Sequence, residues 1–307
     1  MTKELIFGHK NPDTDAIIAA IAYSYMMNES GKDTEAVALG EPNEETKFVF
    51  NHFNYDYPRI ISSADTKQVM LVDHNEPKQS VDNISDVEIT NVIDHHRIAN
   101  FETANPLFYH AEPLGSTSTI IWKLMNQARI EIPATLAGLM MSAIISDTLL
   151  LKSPTTTNED EAALKSLSKT AGLDYESYGL EMLKAGTNLA SKSAKELIEM
   201  DAKTFDMNNK SIRIDQINTV DLDETLQRKA EFEEAIKAEM SAENENLFIL
   251  LITNILTSDT KAIVLGDDES VSVFEKTFDQ KLVDNIALLP GVVSRKKQVV
   301  PQLNANF

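Results

Sequence analysis

The chain opens on a short, mostly apolar run, "ELIF" (4–7), and then changes period: "DAIIAAIAYSYMMNE" (15–29) carries apolar residues at helical spacing and stops near Gly31. The same alternation repeats. "TEAVALG" (34–40) predicts a strand and "EETKFVFNHF" (44–53) a helix; "KQVMLVD" (67–73) and "ITNVID" (89–94) predict two further strands. "STSTIIWKLMNQA" (116–128), "PATLAGLMMSAIISDTLLL" (133–151) and "NEDEAALKSLSKTAG" (158–172) then predict helices. Strands alternating with helices predict an α/β domain with a mainly parallel sheet flanked by helices. Around 185–193, "AGTNLASKS" is small and polar and reads as a linker, after which the pattern changes. "KSIRIDQINTV" (210–220) alternates like a strand, and "LDETLQRKAEFEEAIKAEMSAENE" (222–245) reads as one long charged helix. "LFILLITNIL" (247–256) and "TKAIVLG" (260–266) read as a buried strand pair.

Composition narrows the function classes. The 307 residues suggest two domains, and 42% hydrophobic residues suffice for real cores. With 28 Lys+Arg against 48 Asp+Glu, the net charge of −20 repels nucleic acid and anionic membranes. A small anionic substrate stays admissible where metal ions and a local basic cluster invert the field. The sequence has no cysteine, which excludes disulfides, thiolate metal sites and a cysteine nucleophile and is compatible with a reducing cytoplasm. "MTKELIFGHK" does not read as a signal peptide. "ATLAGLMMSAIISDTLLL" (134–151) has nearly the length of a membrane span, but it contains Asp147 and several hydroxyls and reads as a core helix.

Chemistry gathers at the ends of the predicted strands. His9, Asp13 and Asp15 follow the first; Asp73 and His74 follow "VMLV"; Asp94, His95 and His96 end "TNVI". Four of the six histidines lie in these clusters, where a parallel sheet builds its sites. A loop such as "NPDTD" also serves as a turn and helix cap, and on that stretch alone the two readings stand side by side. Leu136, Met140, Ile144, Asp147 and Leu151 share one helical stripe, so Asp147 is a carboxylate on an apolar face, needing a partner or a metal. Carboxylates with imidazoles and no thiolate suit Mn2+, Co2+, Mg2+ or Zn2+. The donors exceed what one ion needs and fit two ions about 3.5–4 Å apart, which would activate a bridging hydroxide for in-line attack on a phosphoryl group. Far along the chain, "SRKKQVVPQL" (294–303) concentrates Arg295, Lys296 and Lys297. It is either a solvated strand end or a grip for phosphate oxygens, and Lys203 is either an exposed lysine or a further cation.

In order, "GHKNPDTDA", "LVDHNE", "VIDHHR", "AIISDTLLLKSP" and "GVVSRKKQVVP" closely resemble the family II inorganic pyrophosphatases, manganese-type enzymes of the DHH phosphoesterase superfamily, across essentially the whole chain. The resemblance implies a DHH metal-binding catalytic domain over 1–187, a linker over 188–193 and a smaller α/β DHHA2 substrate-binding domain over 194–307. It implies that His9, Asp13, Asp73 and Asp147 hold one ion and Asp15, Asp73, His95 and Asp147 the other, Asp73 and Asp147 bridging. The ions would be two Mn2+ (or Co2+), with Mg2+ arriving on the substrate, pyrophosphate. His96 would stand on the substrate side and share the catalytic role with Asp73, while Lys203, Arg295 and Lys296 would bind pyrophosphate. Asp94 would orient a ligating histidine; His74 and Lys297 receive no role. A homodimer through the N-terminal domain and a cytoplasmic location are further implications, as is the lack of adenine-nucleotide regulation, since no domain-sized insertion separates "DHHRIAN" from "AIISD".

Two related activities compete. DHH-type phosphodiesterases acting on short oligonucleotides or cyclic dinucleotides share the N-terminal motifs but typically carry a "GGGH"-type motif, which is absent here. A short-chain exopolyphosphatase shares more of the second domain. A non-catalytic metal-binding scaffold would require a broken site, and every expected ligand is present.

Overall fold

The computed structural model describes residues 3–307, so Met1 and Thr2 of the stretch read above as lacking a leader lie outside the described residues. The chain divides after Gly186 into two compact units.

In the first unit the elements run β1 (Glu4–Phe7), α1 (Thr14–Glu29), β2 (Thr34–Ala38), α2 (Glu44–His52), β3 (Arg59–Ile60), β4 (Gln68–Val72), β5 (Glu88–Asp94) and β6 (Phe108–Ala111). Then come α3 (Thr117–Ala128), α4 (Ala134–Thr148), α5 (Asn158–Ala171) and α6 (Tyr175–Thr187). The six strands form one sheet in the order β3-β2-β1-β4-β5-β6, every pair parallel. Strand order therefore reverses between β1 and β4, the kind of crevice at which open parallel sheets bind ligands. Leu5, Phe7, Val69, Leu71 and Val92 pack on one face of the sheet. α1 is buried from Thr14 to Ser24 and α4 from Leu136 to Ile145, which explains why both are apolar on nearly every side.

The second unit contains α7 (Ala194–Glu199), β7 (Lys203–Met207), β8 (Lys210–Thr219), α8 (Leu222–Leu226), α9 (Lys229–Glu243), β9 (Leu247–Asn254), β10 (Asp259–Gly266), α10 (Asp268–Phe278), β11 (Ile286–Pro290) and α11 (Val300–Asn304). Its sheet runs β11-β10-β9-β8-β7, with β8 and β9 parallel and the other neighbours antiparallel. β9, buried at all eight positions, is the central strand. One face packs Phe274, Val299 and Leu303; the other packs Leu197, Ile198, Phe232 and Ile236.

Three sequence expectations change. The helix predicted over 133–151 stops at Thr148, because Leu149, Leu150 and Leu151 all take positive φ (46°, 54° and 64°) and turn the chain away. The single helix predicted over 222–245 is two, α8 and α9, separated by Gln227 and Arg228. "SRKKQVVPQL" is no strand end: Arg295–Val299 forms a π-helical turn that leads into α11. Residues 188–193 form no helix or strand. Among the described residues no helix is long and apolar enough to cross a membrane.

Candidate metal centre

Each acidic cluster arrives at the crevice for a local reason. β1 ends at Phe7, and the loop after it carries His9 to Asp13, the N-cap of α1. Asp13 caps α1, its Oδ1 accepting from Ala16 N at 3.0 Å, while its Oδ2 faces His9 Nε2 at 3.5 Å. Asp73 follows β4 with φ of 59°, a left-handed conformation that turns its carboxylate inward, and it is 1% exposed. Its two oxygens have different neighbours: Oδ2 lies 3.6 Å from His9 Nε2 and Oδ1 3.3 Å from His95 Nε2. Asp147, in the last turn of α4, brings Oδ2 to 3.7 Å from His95 Nε2.

The histidines are pre-oriented. His9 Nδ1 lies 2.9 Å from the Lys10 carbonyl and His95 Nδ1 3.0 Å from the Leu114 carbonyl. A carbonyl can only accept, so each Nδ1 carries a proton, which fixes the ring and leaves Nε2 facing the carboxylates. His96 Nδ1 donates to Asp94 Oδ1 at 3.0 Å, and the His96 backbone N–H donates to the same oxygen. Asp94 thus orients His96, not the neighbouring His95, and Asn75 holds its other oxygen at 2.6 Å.

Crowding shapes the protonation. Burial, with the charge of Asp15 added, pushes the Asp73 carboxyl up to about 6. Burial and the charges of Asp15, Asp73 and Asp13 push Asp147 well above the usual carboxylate range. Burial works to lower His9 and His95, but the hydrogen bonds and charges of Asp13 and Asp73 outweigh it and hold each at about 9. No lysine or arginine among the described residues is paired with Asp13, Asp15, Asp73 or Asp147. At neutral pH the Nε2 of His9 and of His95 is therefore protonated and faces the carboxylates across 3.3–3.7 Å, too long for well-formed hydrogen bonds, and a divalent cation would replace those protons. A divalent cation fits that donor set, and nitrogen and oxygen ligands without sulfur suit manganese.

The donors fall into overlapping groups: His9, Asp13 and Asp73; Asp15, Asp73, His95 and Asp147; and Asp73, His95 and His96. Asp73 belongs to all three. Asp147 groups with Asp15 and His95, not with His9 and Asp13.

Sequence reasoning missed the hydroxyl run "STST" at the start of α3. Ser116, Thr117, Ser118 and Thr119 are each 0% exposed. Asp15 accepts from the backbone N–H groups of Thr117 and Ser118, and Asp73 accepts from the Thr117 hydroxyl at 2.9 Å. Four successive hydroxyls opening an apolar helix were the available signal, but they also read as an ordinary N-cap. Glu45 was missed too; its Oε1 accepts from Thr14 and Ser146, neighbours of Asp13, Asp15 and Asp147. His74 Nδ1 lies 2.9 Å from the Val72 carbonyl, its buried Nε2 has no hydrogen-bond partner, and burial lowers its pKa to about 4.

The second unit carries the expected cations. Lys203 opens β7 and is exposed, and its strand partner is Ile214. Arg295 is 8% exposed, far from a free surface cation. Its guanidinium donates to the carbonyls of Asp201 and Ile214 and lies 3.1 Å from the Asp201 carboxylate, and Gln216 Oε1 receives its backbone N–H. Lys296 and Lys297 are exposed on the same turn.

Comparison with known proteins bears on this arrangement. The DHH family N-terminal domain model matches residues 3–144, and the DHHA2 domain model matches residues 180–306. Proteins named "Probable manganese-dependent inorganic pyrophosphatase" are 58% identical in Lactobacillus helveticus and 56% identical in Enterococcus faecalis, each over 309 residues. The alignments cover 100% of this chain and 99% and 100% of those relatives. A crystal structure titled "Methanococcus jannaschii putative family II inorganic pyrophosphatase" matches with a TM-score of 0.61 and 38% identity, covering 98% of both chains. An exopolyphosphatase-related protein from Bacteroides fragilis shares the fold at a TM-score of 0.51 and 15% identity, covering 99% of this chain and 92% of that one.

Proposed function

This chain belongs to the manganese-dependent inorganic pyrophosphatases and hydrolyses pyrophosphate, and from that premise we propose that it works through two divalent ions organised around Asp73. The observation that carries the proposal is that the two Asp73 oxygens neighbour different histidines, one His9 and the other His95. His9, Asp13 and Asp73 would hold one ion, and Asp15, Asp73, His95 and Asp147 the other. A second bridge through Asp147 rests on the family alone. Bound divalent manganese supplies positive charge to phosphate oxygens and lowers the pKa of a water it binds.

The chain's own groups do the rest. Asp94 accepts the Nδ1–H of His96 and raises the ring's pKa, which favours the imidazolium, whose Nε2–H would then be the proton given to the leaving phosphate. Lys203, Arg295 and Lys296 would grip the terminal oxygens, Arg295 through the N–H groups that Asp201 and Ile214 leave free. Residues 1–187 then carry the metals, 194–307 the substrate cations and 188–193 the link between them. Magnesium accompanying the substrate, homodimerisation through the N-terminal domain and a cytoplasmic location belong to the same proposal and rest on the family.

The test is phosphate release by metal-stripped protein reloaded with Mn2+, assayed with Mg2+ on pyrophosphate, tripolyphosphate and a linear dinucleotide in parallel. Hydrolysis of pyrophosphate far above the others supports the assignment of the cations. Preference for tripolyphosphate or the dinucleotide overturns it in favour of an exopolyphosphatase or a phosphodiesterase.

A further inference from the structure

A carboxylate offers about four lone-pair positions, two on each oxygen. Those of Asp15 are nearly used up by the fold. Its Oδ1 accepts from the Ser118 backbone N–H at 3.1 Å and from the Ser118 hydroxyl at 2.5 Å. Its Oδ2 accepts from the Thr117 backbone N–H at 2.7 Å. One position remains, on Oδ2. Asp15, Thr117 and Ser118 are all 0% exposed, and the two N–H donors belong to the first turn of α3, so this arrangement cannot relax without moving a helix.

From this count we propose that Ser118 is a specificity-determining residue for the metal: by closing Oδ1 it makes Asp15 a single-oxygen ligand and biases the centre against calcium. Calcium takes six to eight oxygen ligands and commonly binds both oxygens of one carboxylate, whereas smaller divalent ions need only about six donors in near-octahedral order. The other ligands lean the same way. Asp13 spends Oδ1 on Ala16 N, Asp73 Oδ1 already accepts from Thr117, and His95 offers an imidazole nitrogen, a donor calcium takes poorly. Backbone N–H groups do part of this work, but among the donors to Asp15 the Ser118 hydroxyl is the one that a side-chain substitution can remove. The inference rests on the reading that the group of Asp15, Asp73, His95 and Asp147 holds an ion.

The experiment is direct binding of Mn2+ and of Ca2+ to metal-stripped protein by titration calorimetry, with thermal melts alongside. Ser118→Ala frees one position on Oδ1 and should lower the preference for manganese over calcium by roughly tenfold, the lower end of what partners of metal ligands contribute. Ser118→Thr keeps the hydroxyl and should keep the wild-type preference. A folded Ser118→Ala with unchanged preference overturns the inference. Should Ser118→Ala fail to fold, the wild-type titration decides: manganese should bind more tightly than calcium, and comparable affinities overturn the proposal. Asp73→Asn separates the two levels. Full manganese binding in that variant refutes the metal reading itself, whereas its loss beside an unchanged Ser118→Ala refutes only the role of Ser118.

Discussion

Gly8→Ala adds one methyl group at the junction of β1 and His9, and the structure leaves no room for it. A Cβ there would clash with the Ala16 carbonyl oxygen and lie 2.6 Å from Ala16 Cβ and 2.8 Å from the Ala16 carbonyl carbon. Ordinary carbon contacts are about 3.5–4.0 Å, so the first turn of α1 would have to retreat by about 1 Å. The obstructing atoms are backbone and Cβ, which no rotamer change moves. Overpacking of this kind costs about 1–3 kcal/mol. The larger effect falls on function, because the retreating turn carries Asp13 and Asp15 while His9 stays tied to β1. A misplacement of about 1 Å can lower turnover by about 10²-fold. Thermal melts, Mn2+ titration and steady-state phosphate release, run on one preparation, would read all three effects. A Gly8→Ala protein with wild-type melting temperature, manganese affinity and turnover would refute the claim that α1 packs on this glycine to set the site.

Three further outcomes are expected. Arg295→Ala should retain the full manganese content yet raise KM for pyrophosphate by about tenfold or more, since a charge-assisted contact contributes roughly 1.5–3 kcal/mol; metal loss would place Arg295 in the metal centre instead. Burial, with the charge of Asp201 added, pushes Asp215 up to about 6 from an unfolded value of 3.8. The stability its proton confers is therefore present below about pH 3.8 and lost as pH rises through about 6, some 3 kcal/mol in all. Asp215→Asn should accordingly gain melting temperature over wild type at about pH 8 and not at about pH 4, and an equal difference at both would contradict that sign. Glu45→Ala, which removes the acceptor shared by Thr14 and Ser146, should weaken manganese binding by roughly tenfold, while Glu45→Gln, still an acceptor, should stay near wild type.

The strand ends were legible because apolar runs that stop at His9, Asp73 and Asp94 mark the edge of a buried parallel sheet directly. Helix ends were harder. Leu149 to Leu151 continue the apolar pattern of α4, and nothing in three leucines announces a left-handed turn, so the predicted helix ran too long. The charged stretch 222–245 has no glycine or proline at Gln227 and Arg228, and packing of Phe232 and Ile236 against β9, not local propensity, decides where α9 begins. Arg295 shows the limit most plainly. "SRKK" advertises charge, but the acceptors that bury its guanidinium come from Asp201 and Ile214, far away in sequence. Ser118 and Thr117 escaped notice for the same reason: their partner carboxylates lie on other elements. A residue's type was readable, and its long-range partner was not.

The most direct test counts manganese. Metal-stripped wild type and Asp73→Asn would be equilibrated with Mn2+, freed of excess and analysed for bound metal per chain, with circular dichroism confirming the fold of each. If Asp73 joins two ions, wild type should retain two equivalents, and Asp73→Asn at most one, with little remaining turnover. Two tightly held ions and wild-type turnover in folded Asp73→Asn would contradict the account at its centre.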